Sequence, residues 1–73
     1  MANVTEKMIE AGSKIASDLM DAHITKSLGG LKEWEEFQSN CDNSNIDLII
    51  QYVNGEIQTV TAIYIAMNRA SDI

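Results

Sequence analysis

Between Asn45 and Ile73, apolar residues recur at Ile46, Ile50, Val53, Ile57, Val60, Tyr64 and Met67, in steps of 4, 3, 4, 3, 4 and 3. Strand side chains alternate with a period of two, so this spacing marks a helix buried along one side. It predicts one long helix over about 45–70, capped at its start by Ser44 or Asp42. Asn54-Gly55 falls inside the stripe, and that dipeptide between β-branched residues is also the strongest short signal for a β-hairpin. A hairpin would make the chain α+β. Its pairing would put Ile49, Gln51, Val53, Glu56, Gln58 and Val60 on one face, which is poor alternation. The helix is therefore the leading reading, although Gly55 costs it about 1 kcal/mol relative to Ala and its Ile, Val and Thr content weakens it further. Packing has to hold such a helix.

A second stripe lies about 120° round the same wheel: Leu48, Tyr52, Thr59, Ile63, Ala66 and Ala70. A helix apolar on two sides is normally buried on two sides. Two short companions from a 73-residue chain are a thin cover for both. These six residues are thus the expected self-association surface of a homodimer or higher homo-oligomer, the alternative being a compact monomer in which the first two helices flank the third. With one cysteine, Cys41, and one histidine, His23, neither an intrachain disulfide nor a structural zinc site can make up for a small core.

Two breaks, Gly29-Gly30 and the polar run Ser39–Asn45, divide the remainder. From about 4 to 28 an amphipathic helix is predicted, with Asn3 as N-cap and Glu6 three residues on. Met8, Gly12, Ile15, Ala16, Leu19, Ala22 and His23 share its apolar side, against Glu6, Lys7, Glu10, Lys14, Asp18 and Asp21. Gly29 is expected to stop it in a left-handed C-cap conformation. A short helix over 31–39 follows, with Leu31, Trp34, Phe37, Gln38 and Cys41 on one face and Trp34 and Phe37 plugging the core. The whole, 1–73, reads as a single all-α domain of three helices. Gly12 with Ala16, and Ala62 with Ala66 and Ala70, would let helix axes approach closely.

Eleven acids against 5 bases give a net charge of −6, which disfavours direct nucleic-acid binding, since that rests on Lys and Arg meeting phosphates. The longest apolar-rich stretch, Thr59–Met67, is too short to span a membrane, no signal peptide is visible, and a lone thiol fits a reducing cytoplasm.

Catalytic patterns fail on inspection. His23 has Ser27 one turn away but no orienting acid. The carboxylates Asp18, Asp21, Glu33, Glu35 and Glu36 read as solvated faces. The oxygen-rich run Asp42–Asp47 lacks the glycine of an EF-hand, and Gly29-Gly30-Leu31-Lys32 lacks the Walker A pattern. No enzyme, metal or cofactor is expected.

The expected role is a small acidic protein-binding module, an inhibitor or adaptor. Its size and charge are those of phage- or plasmid-borne modulators of host machinery, an analogy of class only. The acidic tract Glu33, Glu35, Glu36, Asp42 and Asp47, with Lys32 the lone base among them, is the expected docking surface for a partner with a basic surface. Two alternatives remain. One is a small-ligand or nucleotide sponge with an inter-subunit pocket near His23, Trp34 and Tyr52. The other is a partial DNA mimic occupying a nucleic-acid-binding protein.

Overall fold

The computed structural model describes residues 3–71; the two residues at each end of the expected 1–73 unit lie outside the described residues. The described residues form four helices and no strand: α1 (Glu6–Leu28), α2 (Leu31–Asn40), α3 (Ile46–Val53) and α4 (Thr59–Ser71). The all-α class stands, and the hairpin alternative does not.

The single long helix over 45–70 needs correction, because the chain reverses at Asn54-Gly55. There Gly55 adopts φ +78°, a left-handed conformation that a Cβ would disfavour. Its N–H donates to the Tyr52 carbonyl at 3.1 Å, and the Glu56 N–H donates to the Gln51 carbonyl at 2.8 Å. These two bonds, with glycine at the first position past the cap, constitute a Schellman motif. Asn54-Gly55 is therefore a helix stop rather than a hairpin turn. The apolar stripe does not remain one buried side: Ile46, Ile50, Val53, Ile57 and Met67 are partly buried, but Val60 and Tyr64 are exposed.

Thr5, rather than Asn3, caps α1: its Oγ1 accepts the Met8 N–H at 3.2 Å. The start of α2 is satisfied differently, by Glu33 Oε1 reaching back to the Gly30 N–H at 2.7 Å. Asn45, not Ser44 or Asp42, stands at the N-cap of α3. Gly29 ends α1 in extended backbone, φ −87° and ψ 174°, not in the expected left-handed form. A glycine is required there for space. A Cβ would lie 2.7 Å from the Thr25 carbonyl oxygen and 2.9 Å from Glu33 Cβ.

α1 is the hub. The other three helices pack on it, α4 most extensively, and α2 meets the α3–α4 pair only weakly. α4 runs back along α1, with Met67 beside Gly12 at one end and Val60 beside His23 at the other. A Cβ on Gly12 would stand 3.0 Å from Met67 Cγ, so the absence of a side chain sets how closely the two helices approach. Ile15, Leu19, Leu48 and Ile49 are the largest fully buried side chains, joined by Ala22, Ala62, Ala66 and Trp34. Phe37 stacks on Trp34 with ring centroids 5.6 Å apart, and the Lys26 ammonium sits 5.7 Å from the Trp34 ring centroid. The molecule measures 42 × 21 × 14 Å. Its least dimension matches two helix layers at about 8–10 Å spacing, so α1 has neighbours on one side and solvent on the other.

Candidate functional site

The acidic tract divides into two parts. Glu33, Glu36 and Asp42 line one open recess of about 470 Å³ between α1 and α2, together with Asp18, Thr25, Phe37, Asn40 and Cys41. Four carboxylates thus face one hollow whose apolar wall is Phe37, and no Lys or Arg lines it. Asp18 comes from α1, so its membership was not visible in the local run of acids. Glu35 is exposed on α2 but does not line the recess. Among the described residues, neither Glu35, Glu36 nor Asp42 takes part in an ion pair.

Asp47 belongs elsewhere. Both its carboxylate oxygens accept from Arg69, Oδ1 from Nη1 and Oδ2 from Nη2, each at 3.1 Å. This bidentate pair holds the Asp47 carboxyl below its ordinary pKa, chiefly through the hydrogen bonds from Arg69. On a continuous helix, residues 22 positions apart would be roughly 33 Å distant. The reversal at Gly55 is what brings them together, and Asp47 does not line the α1–α2 recess.

The same guanidinium donates to Asn45 Oδ1 at 3.0 Å. Asn43 and Asn45 are both buried, which the polar run did not suggest. Asn43 Oδ1 accepts the Asn45 N–H at 2.8 Å, and its amide nitrogen donates to Asp18 Oδ2. Arg69, Asn45, Asn43 and Asp18 therefore tie α4 to α1 through the loop before α3. Lys14 approaches the same Asp18 oxygen at 3.8 Å. Every buried side-chain nitrogen and oxygen among the described residues has a partner. Cys41 is half-buried beside Asp18, and burial, followed by that carboxylate, raises its thiol pKa.

The expected ligand pocket is not assembled as drawn. His23 is exposed, at the edge of the α1 apolar arc, and lines an open recess with Tyr52, Val53, Gly55, Ile57, Gln58, Thr59 and Val60. Trp34 is buried under α2 and contributes nothing to it. Among the described residues, no group of three or more His, Cys, Asp or Glu is placed to hold a metal ion.

The expected self-association stripe is also dispersed. Leu48 and Ala66 are buried in the monomer core, Tyr52, Ile63 and Ala70 are partly buried, and only Thr59 is exposed. Folding back at Gly55 lets α3 and α4 bury against α1 what a straight helix would have left uncovered. Uncovered apolar side chains lie on α1 and the outer edge of α4, at Ile9, Met20, Ile24, Val60 and Tyr64, and also at Val4 and at the α1–α2 corner, at Leu28 and Leu31. The sequence signal on α1 was the recurrence of Ile9, Met20 and Ile24 at one helical angle, among serines and charges.

No described helix is long and apolar enough to cross a membrane. Comparison of the chain with protein-family models, with curated proteins and with solved structures found no match.

Proposed function

We propose that this chain is a non-catalytic protein-binding module whose α1–α2 recess receives a basic side chain of a partner protein. The observation that carries the reading is that Asp18, Glu33, Glu36 and Asp42 line one hollow with no Lys or Arg in the lining. Among the described residues Glu36 and Asp42 are without an ion pair, while Asp18 is met by Lys14 at 3.8 Å and Glu33 caps the Gly30 N–H. A Lys or Arg entering there would lay its aliphatic stem along Phe37 and set its charged head among the carboxylates. Glu35, on the same helix, extends the negative field outward and favours fast encounter with a basic surface. Covering a basic surface in this way makes the module an inhibitor or an adaptor, according to what that surface otherwise does.

The test is affinity capture from the source cells with the wild-type chain and with Glu36→Lys/Asp42→Lys, compared by mass spectrometry. Both side chains are exposed and neither makes an ion pair, so the variant should fold, with stability changed by about 0.5 kcal/mol or less per site. A basic protein retained by the wild type, lost with the variant and released by moderate salt supports the reading. The same proteins bound by both chains refute it.

A further inference from the structure

We propose that the outer face of α1 and α4 is the interface of a two-fold symmetric homodimer in which the two α1 helices pack antiparallel. Ile9 (54% exposed), Met20 (65%) and Ile24 (48%) lie on the side of α1 away from the core, within about 60° of one another on a helical wheel. Val60 (73%) and Tyr64 (66%) lie within about 60° of Met67 on the α4 wheel, turned away from buried Ala62 and Ala66, and Met67 is where α4 meets α1 at Gly12. The α1–α4 groove is placed by two anchors: Gly12 against Met67 and Ile63, and His23 beside Val60. Past Glu6, no charged residue falls in this sector of α1, whose other members are Ser13 and Ser27, with Ala16 and Ser17 at its two edges.

Two features favour a second copy as the occupant. The first is register. Reversing α1 about the Ala16–Ser17 midpoint sets Ile9 opposite Ile24 and Ser13 opposite Met20. The stripe is thus nearly self-complementary, as a two-fold interface demands. Small residues at its middle allow the helices to approach toward the short end of 8–10 Å. The second is area. At the exposures given, the five side chains present roughly 600 Å² per copy, so a dimer would bury about 1,200 Å², the lower bound for a specific interface. At net charge −6 two copies repel one another, and an uncharged strip adds no further like-charge contact to that repulsion. Dimerisation should therefore strengthen with added salt, whereas docking of a basic partner in the carboxylate recess should weaken. The two proposals stand or fall separately.

Sedimentation velocity of the full chain from 1 µM to 1 mM, at low and high sodium chloride, tests the inference. The expected result is a monomer–dimer equilibrium that tightens with salt. Met20→Asp, and separately Tyr64→Asp, should each weaken the dimer by at least about thirtyfold while leaving the far-ultraviolet circular dichroism unchanged, because both side chains are already exposed in the monomer. Glu35→Lys, away from the face, should not weaken it. A strict monomer up to 1 mM overturns the inference. So does a dimer that survives both substitutions in folded protein.

Discussion

Replacing Gly55 by alanine separates the observed fold from a continuous C-terminal helix by the sign of the effect. In the structure Gly55 has φ +78°, and an added Cβ would meet nothing within 4 Å. The cost is therefore conformational, not steric. Placing an L-residue in the left-handed region costs about 1–2 kcal/mol. Alanine also reduces the freedom of the unfolded chain, which returns about 0.4–1 kcal/mol. The net expectation is a destabilisation of about 1 kcal/mol. Were residues 45–70 one helix, the same substitution would stabilise by about 1 kcal/mol, since Gly is a poorer helix former than Ala by that amount. The two outcomes differ by about 2 kcal/mol. Urea unfolding followed by Trp34 fluorescence and by circular dichroism resolves this, given a slope of about 1 kcal/mol per molar for a small domain. Coincidence of the two curves checks that unfolding is all-or-none. A chain of this length is open to chemical synthesis, and D-alanine at position 55, which favours positive φ, should stabilise instead. L-alanine raising the urea midpoint would refute the Schellman stop.

Three further outcomes are expected. Gly29→Ala should destabilise by about 1–3 kcal/mol, because the new Cβ meets a backbone carbonyl at 2.7 Å. Gly30→Ala should cost less, because its nearest neighbour is the movable Glu33 carboxylate; thermal melts of the two variants compare them directly. Asp47 has a folded pKa below its unfolded value, so its contribution to stability is fully present above the unfolded pKa and is lost as pH falls through the folded one. Asp47→Asn should therefore flatten the acid limb of the stability profile below about pH 4, modestly, since the pair is half exposed and screened by salt. The raised Cys41 pKa means less thiolate, so alkylation by iodoacetamide near pH 8 should be slower than for an unfolded peptide carrying the same residue, and should speed up in denaturant.

How much of this was legible can be judged from particular residues. The core side of α1 was readable because Met8, Gly12, Ile15, Leu19 and Ala22 keep helical spacing, and all are buried. His23 shared that arc by angle alone; it lies at the arc's edge, where α4 is only beginning, and is solvent-exposed. The stripe from Ile46 to Met67 correctly announced helix, but spacing carries no information about straightness. Two helices across a five-residue turn carry the same spacing, with Ile46, Ile50 and Val53 partly buried on one and Val60 and Tyr64 exposed on the other. In sequence Asn54-Gly55 reads as a hairpin turn or as a flaw in a helix, while the structure uses it as a helix stop. That one reversal lets Leu48 and Ala66 bury in one core and draws Asp47 into the pair with Arg69, while Val60 and Tyr64 of the same segment stay exposed. The carboxylate recess was half legible: Glu33, Glu36 and Asp42 are close in sequence, but Asp18 joins only because Asn43 and Cys41 bring the loop before α3 back onto α1.

The claim that the α1–α2 recess is the docking surface is tested most directly by amide nitrogen–proton correlation spectra of the ¹⁵N-labelled chain titrated with the captured basic protein. Shifts confined to Asp18, Glu33, Glu36, Phe37 and Asp42 and their neighbours, abolished by Glu36→Lys/Asp42→Lys, are the predicted result. Shifts centred on Ile9, Met20 and Tyr64, with the recess residues unmoved, would contradict it.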